Sequence, residues 1–184
     1  QSVADRRHGV RGLQLLADGD APPQVMESVL ADDEFRALRQ VAIVDRRGVV
    51  AHFSGAQCTS IVATHEDDEV VALGNMLASD TVPAAMVAAY QRAYNAPGPV
   101  SPHRRRANGM AEALITALHA GEVAGGDKRG KQAAGVLVVA AGAGYGGRDD
   151  RAVDLRVDDH PTPVDELHRI FGVFLENQRR EFEK

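Results

Sequence analysis

The sequence predicts a layered α/β (α+β) fold in which helices cover antiparallel sheets. Three observations predict it. Two stretches read as hairpins, "QVAIVDRRGVVAHFSG" and "TSIVATHEDDEVVALGN", and hairpins impose antiparallel pairing. Helical pairs precede and follow these hairpins, as expected when helices cover sheet faces. A further strand pair and a terminal helix close the chain.

Taken in order, "RGLQLLADG" spaces Leu13, Leu15 and Leu16 as a short helix closed by Gly19. "APPQVMESVLADD" opens on prolines and sets Val25, Met26, Val29 and Leu30 on one helical face. The first hairpin turns at "RRG", and the second turns at the acidic cluster Glu66 to Asp68. In the second, Gly74–Asn75 is read as the end of the strand. Asp80 or Thr81 caps a helix opening near Pro83, and "ANGMAEALITALHAG" is a second helix stopped by Gly121. "AAGVLVVA" is a strong strand, "AGAGYGGRDD" a glycine-dense turn, and "RAVDLRVDD" alternates as the returning strand. In "TPVDELHRI", Thr162 suits the cap, Pro163 the first helical position and Asp165 the third. Leu167, Ile170, Phe171, Phe174 and Phe182 then mark the apolar face of a helix running almost to Lys184.

Bulk composition narrows the function classes. A chain of 184 residues that is 44% hydrophobic and 26% charged fits one globular domain, residues 1–184. At 4% aromatic residues and without Trp, its core must come from Val, Leu, Ile and Ala. The net charge of -5 argues against nucleic acid as a partner, and the basic run His103 to Arg106 reads as a solvated Pro-rich loop. No apolar run approaches a membrane span. Cys58 stands alone, which excludes an internal disulfide and fits a reducing cytoplasm; it reads as a small buried hydrophobe. No cofactor or structural metal is called for.

Four stretches carry polar chemistry. In "GGDKRGKQAAGVLVV", Arg129 offers a planar fork for a carboxylate, Asp127 is placed to orient it, and Gln132 offers donors and an acceptor. The same residues suit a plain helix-to-strand turn. "VDLRVDDHP" sets Asp154, Arg156 and Asp158 on one strand face, as an ion ladder or one wall of a cleft. Asp158, Asp159 and His160 in succession raise a weaker alternative of cation binding. Asn75 in "GNML" is either an oxyanion donor or a turn residue. Ser2, Ser54, Cys58, Thr59 and Ser60 are hydroxyl or thiol bearers outside any nucleophile motif.

Together, "RGLQLL", "LRQVAIVDRRGVVAHFSGAQC", "GNML", "GGDKRGKQAAGVLVV", "GYGG" and "VDLRVDDHPTPVDEL" resemble domain of unknown function family 1028, over roughly Gly9 to Ile170. The family is placed in the Ntn-hydrolase-like superfamily. The resemblance implies a four-layer αββα sandwich of two antiparallel sheets. It also implies an N-terminal Thr, Ser or Cys that attacks an amide with its own α-amine as base. The implied function is hydrolysis of amide or other C–N bonds in a small molecule or peptide; the alternative is a non-catalytic structural or ligand-binding protein of the same fold. Asn75 would help bind the oxyanion, while Asp127, Arg129, Gln132, Asp158 and His160 would line the substrate. Family members carry a strand hairpin ahead of the position matched by Gln1. The nucleophile and N-terminal strands are therefore expected outside this chain, since Gln1 is an amide and Ser2 lacks a free amine. A homodimer, or a partner segment supplying the strands, is expected to cover the exposed edge.

Overall fold

The computed structural model describes residues 4–96 and 104–182, with residues 104–106 and 181–182 described by backbone alone. Gln1, Ser2 and His103 lie outside the described residues. The chain divides into two compact units, Gln1–Val87 with Ala124–Arg129, and Ala88–Val123 with Gly130–Lys184.

The first unit opens with α1 (Arg7–Asp18) and α2 (Pro22–Leu30). Gly19 ends α1 in the left-handed region at φ 105°, its N–H returning to the Leu15 and Leu16 carbonyls. That backbone conformation favours glycine. We expect Gly19→Ala to lower stability by about 1 kcal/mol, read as a shift of the urea midpoint. Pro22 and Pro23 start α2, where their fixed φ suits a helix and a missing N–H costs nothing. The predicted face of Val25, Met26, Val29 and Leu30 is buried, packed by Val41, Ile43, Ala51 and Phe53. Those four belong to the hairpin of β1 (Gln40–Val44) and β2 (Val50–Ser54), which pairs in register from Gln40↔Ser54 to Val44↔Val50. The second hairpin joins β3 (Ile61–Asp67) to β4 (Val70–Leu77). β4 does not end at Gly74–Asn75 as the sequence suggests; it continues to Leu77 through an irregular step. The helix α3 (Val82–Tyr94) begins in this unit, with the Thr81 carbonyl accepting the Ala85 N–H at 3.0 Å.

The second unit contains α4 (Arg104–Val123), the hairpin of β5 (Ala134–Val139) and β6 (Arg151–Val157), and α5 (Pro163–Phe182). Both α4 and α5 pack on this hairpin. Ala107, Ala111 and Ile115 of α4 meet Val136, Val138, Val153 and Val157 of the strands and Leu167 and Phe171 of α5. Beyond the expected Val, Leu, Ile and Ala, this core also buries the aromatic ring of Phe171. Alternation along β5 is clean: Val136 and Val138 are buried while Leu137 and Val139 are exposed. Two expectations fail here. Gly121 does not stop α4, which runs on to Val123 because backbone hydrogen bonding outweighs one glycine's modest helix penalty. Arg104 to Arg106 belong to the start of α4 rather than to a loop. The predicted start of α5 holds, with the Thr162 carbonyl accepting the Glu166 N–H at 3.1 Å; the Phe182 side chain lies outside the described residues.

The described strands thus form three two-stranded antiparallel sheets, β1–β2, β3–β4 and β5–β6, in a mixed α/β chain. Among the described residues, no helix is long and apolar enough to cross a membrane.

Candidate functional site

The irregular end of β4 organises the polar residues of the first unit. Ala63 pairs with Gly74 and Ile61 with Leu77, so two steps on β3 face three on β4. The extra residue makes a bulge at Asn75–Met76. Met76 takes φ 55° and Ser60, at the head of β3, φ 67°. Both are left-handed without being glycine, a conformation that costs an L-residue roughly 1–2 kcal/mol. The Met76 N–H donates to the Thr59 carbonyl at 3.1 Å and helps hold this arrangement.

The stretch "GGDKRG" docks against that bulge. Ala78 N–H donates to the Gly126 carbonyl at 3.0 Å, Lys128 N–H donates to the Met76 carbonyl at 2.9 Å, and Leu77 and Asp127 form an antiparallel bridge. The loop reaches β4 through Gly125 and Gly126, at φ 120° and 58°. A Cβ on Gly125 would stand 3.0 Å from the Ala78 Cβ, so the approach is close as well as left-handed. Asn75 and the Asp127–Arg129 pair, distant in sequence, are thereby brought to one strand end.

Asp127 orients Arg129 as its spacing suggests. Its carboxylate accepts the Arg129 backbone N–H at 2.8 Å, Nε at 2.9 Å and Nη2 at 2.5 Å. These guanidinium bonds hold the Asp127 carboxyl below the usual carboxylate range. The same Asp-x-Arg turn recurs twice in this unit. Asp45 accepts the Arg47 N–H at 2.8 Å and Nε at 3.0 Å, and Asp5 accepts the Arg7 N–H at 2.9 Å and Nη2 at 2.6 Å. The pairing is a local product of i, i+2 spacing. At 64% exposure, the Arg129 side chain still faces solvent.

Asn75 is not a free-standing donor. Its Nδ2 donates to Gln40 Oε1 at 2.9 Å. Gln40 in turn donates through Nε2 to the Gly74 carbonyl at 3.0 Å, to Ser54 Oγ at 3.2 Å and to the Ala63 carbonyl at 3.4 Å. Gln40 is 4% exposed and ties the two hairpins together. Sequence reading missed Gln40 because it stands at the head of an apolar strand with no motif around it. Lys128, whose ammonium donates to Ser60 Oγ, was hidden within a charged turn.

A second polar group in the first unit surrounds Asp33. The carboxylate accepts Arg39 Nε at 2.6 Å, Arg39 Nη2 at 3.0 Å, the Phe35 N–H at 2.9 Å and His8 Nε2 at 2.9 Å. Four donors fill its acceptor sites. Asp5, Arg7, His8 and Asp33 border a cavity of about 480 Å³. Cys58, half-buried, donates its thiol to the Arg39 carbonyl at 3.2 Å, in keeping with a structural role.

In the second unit the structure joins Gln132 to His160. The His160 N–H donates to the Gln132 carbonyl at 2.9 Å, and Gln132 Nε2 donates to Asp159 Oδ1 at 3.2 Å. The Thr162 N–H donates to His160 Nδ1 at 3.1 Å. Nδ1 is therefore the acceptor and, in the neutral ring, Nε2 carries the proton. Asp158 is 82% exposed and accepts Arg156 Nη2 at 3.4 Å. With Arg151 donating to Asp154 at 3.0 Å, the charged row on β6 is a solvent-exposed ion ladder. Among the described residues no group of three His, Cys, Asp or Glu is placed to hold a metal, so Asp158, Asp159 and His160 do not converge on a cation.

Comparison with known proteins follows the sequence blocks. The chain has a solved structural neighbour, the crystal structure of protein SPO2555 from Silicibacter pomeroyi, itself assigned to DUF1028, with 28% identity and a TM-score of 0.75 over 93% of this chain and 68% of that one. No curated protein matches. The model of a family of unknown function, DUF1028, matches residues 1–167. With that match spanning most of its length, and the GGDKRG loop and β6 block inside it, the chain belongs to the DUF1028 family.

Proposed function

We propose that this chain is part of an Ntn-type hydrolase of amide or other C–N bonds in a small molecule or peptide, built on a four-layer αββα sandwich. The observation that supports this reading most is the docking of residues 126–128 along the end of β4. It sets a solvent-facing, carboxylate-oriented Arg129 beside the strand end that carries Asn75. In this reading Arg129 binds a substrate carboxylate through the part of its fork turned away from Asp127. Asn75, oriented by Gln40, presents its amide to the developing oxyanion. Gln132 and His160 belong to the substrate-lining set of the second unit, with His160 presenting Nε2–H. Asp158, salt-bridged and exposed, has the weakest support of the set. A homodimer or a partner segment covering the open strand edges completes the proposal.

A second reading, a non-catalytic binding or structural protein of the same fold, is favoured by one observation. The Asp127–Arg129 turn is repeated at Asp45–Arg47 and Asp5–Arg7, so its geometry by itself does not demand a ligand.

Turnover of a panel of carboxylate-bearing amides and lactams separates the two. For the hydrolase, Arg129→Ala is expected to weaken KM by about tenfold while leaving kcat nearly unchanged, the signature of lost uniform binding. Absence of turnover by the full-length protein, with Arg129→Ala changing no ligand affinity, would overturn the hydrolase reading in favour of the second.

A further inference from the structure

We infer that the cavity beside Asp33 in the first unit is a binding site for a small zwitterion, a free amino acid or short peptide presenting both an ammonium and a carboxylate. The cavity holds about 480 Å³, within the range of small-molecule sites. It makes no use of Asn75, Asp127 or Arg129, so it stands or falls apart from the hydrolase reading.

Two segments form its walls. The start of α1 supplies Arg7, His8 and Arg11, and the segment after α2 supplies residues 32–35. Asp33 clamps the walls together. It accepts His8 Nε2 from α1 at 2.9 Å and, from its own side, Arg39 Nε at 2.6 Å and the Phe35 N–H at 2.9 Å. The His8, Asp33 and Arg39 side chains are each at most 9% exposed, so the clamp is buried. The Arg39 guanidinium also stands 5.6 Å from the centre of the Phe35 ring and helps to hold it. A ligand therefore meets walls already in place rather than ordering them on binding.

The charges that build the walls are matched among themselves. Asp5 holds Arg7 through bonds of 3.0 Å to Nε and 2.6 Å to Nη2, and Asp33 holds Arg39 and His8. Three other lining charges are not matched. Among the described residues, the exposed side chains of Arg11, Asp32 and Glu34 make no ion pair or hydrogen bond. One cation and two carboxylates thus face a single cavity without meeting each other. A ligand of one charge would satisfy one sign and stand against the other. A zwitterion answers both, its carboxylate on the Arg11 fork and its ammonium toward Asp32 and Glu34. Val29, 4% exposed, and the exposed Phe35 ring add apolar surface, which favours a ligand with an aliphatic or aromatic side chain.

The test is calorimetric titration of the full chain with leucyl-leucine, with its N-acetyl and C-terminal amide forms, and with free leucine. At least one of the two zwitterions is expected to bind. Masking either end of whichever binds should weaken it by about tenfold or more, the scale of one charge-assisted hydrogen bond. Tighter binding of leucyl-leucine assigns the site to peptide termini, and tighter binding of leucine to a free amino acid. Arg11→Gln should bind the zwitterion and its amide alike, and Asp32→Asn with Glu34→Gln should bind the zwitterion and its N-acetyl form alike. These positions are exposed and unpaired, so the variants should keep the wild-type urea midpoint. No heat from either zwitterion, or masked forms that bind the wild type as well as the unmasked one, overturns the site. So does a preference for the free carboxylate that survives Arg11→Gln, or for the free amine that survives the double variant. The first two outcomes need only the wild-type chain, so they decide the matter even where a variant fails to fold.

Discussion

Asp33→Ala is expected to destabilise the first unit by about 3 kcal/mol, the range for removing one partner of a buried ion pair. The Asp33 and Arg39 side chains are only 7% and 4% exposed. Taking away the carboxylate removes both short guanidinium bonds of Arg39 in a largely water-excluded place, where Asp5 stands farther off at 3.7 Å. It also removes the acceptor that the Phe35 N–H and His8 Nε2 share. Urea unfolding at neutral pH measures the loss.

The same group carries a pH dependence. Hydrogen bonds from Arg39 hold the Asp33 carboxyl below the usual carboxylate range in the folded chain. A depressed native pKa means the folded state binds its proton less readily than the unfolded one. The stabilisation is therefore complete above the ordinary carboxylate range and is lost as pH falls through the lower native value. Wild-type stability should drop on acidification below about pH 4, the ordinary carboxylate region. In Asp33→Asn that drop should be shallower, because one of the responsible carboxylates is gone. An unchanged acid profile would remove Asp33 from the explanation.

Gln40→Leu is expected to cost about 2–3 kcal/mol despite adding apolar surface at a buried position. Leucine is close in size but has no donors, so the Gly74 and Ala63 carbonyls lose the partner that Gln40 Nε2 gives them. Asn75 Nδ2 loses its 2.9 Å acceptor. Because Gln40 spans both hairpins, the loss should appear as faster amide exchange in β1 and β4 together. Acceleration confined to β1 would show that the hub does not couple them. Gln40→Glu is the informative companion. It retains an acceptor for Asn75 but removes the amide donor, and introduces a buried charge.

What could be read from the sequence follows the range of the interactions involved. Gly19 as a helix end, Pro22 as a helix start and the buried face of Val25, Met26, Val29 and Leu30 depend on neighbours within one or two turns. All are found as expected. The Asp127–Arg129 pair was legible for the same reason, since an aspartate two residues ahead of an arginine can close on it without help. Its recurrence at Asp45 and Asp5 shows how little tertiary context it needs. Gly121 and Gly74–Asn75 misled because residue preferences of about 1 kcal/mol or less yield to a continuing hydrogen-bond ladder.

The sequence by itself determined the antiparallel hairpins, the helix faces and the family to which the chain belongs. These rest on periodicity, turn chemistry and contiguous blocks of residues. Only the tertiary structure decided that Gln40 would hold Asn75, that Asp159 rather than Asp158 would meet Gln132, and that Lys128 would reach Ser60. Each of these contacts joins segments far apart in the chain, or chooses between adjacent side chains that point in different directions. No local pattern encodes that choice; for Lys128 it is made when the irregular end of β4 receives the glycine loop, and for the others when the backbone registers of their own unit lock.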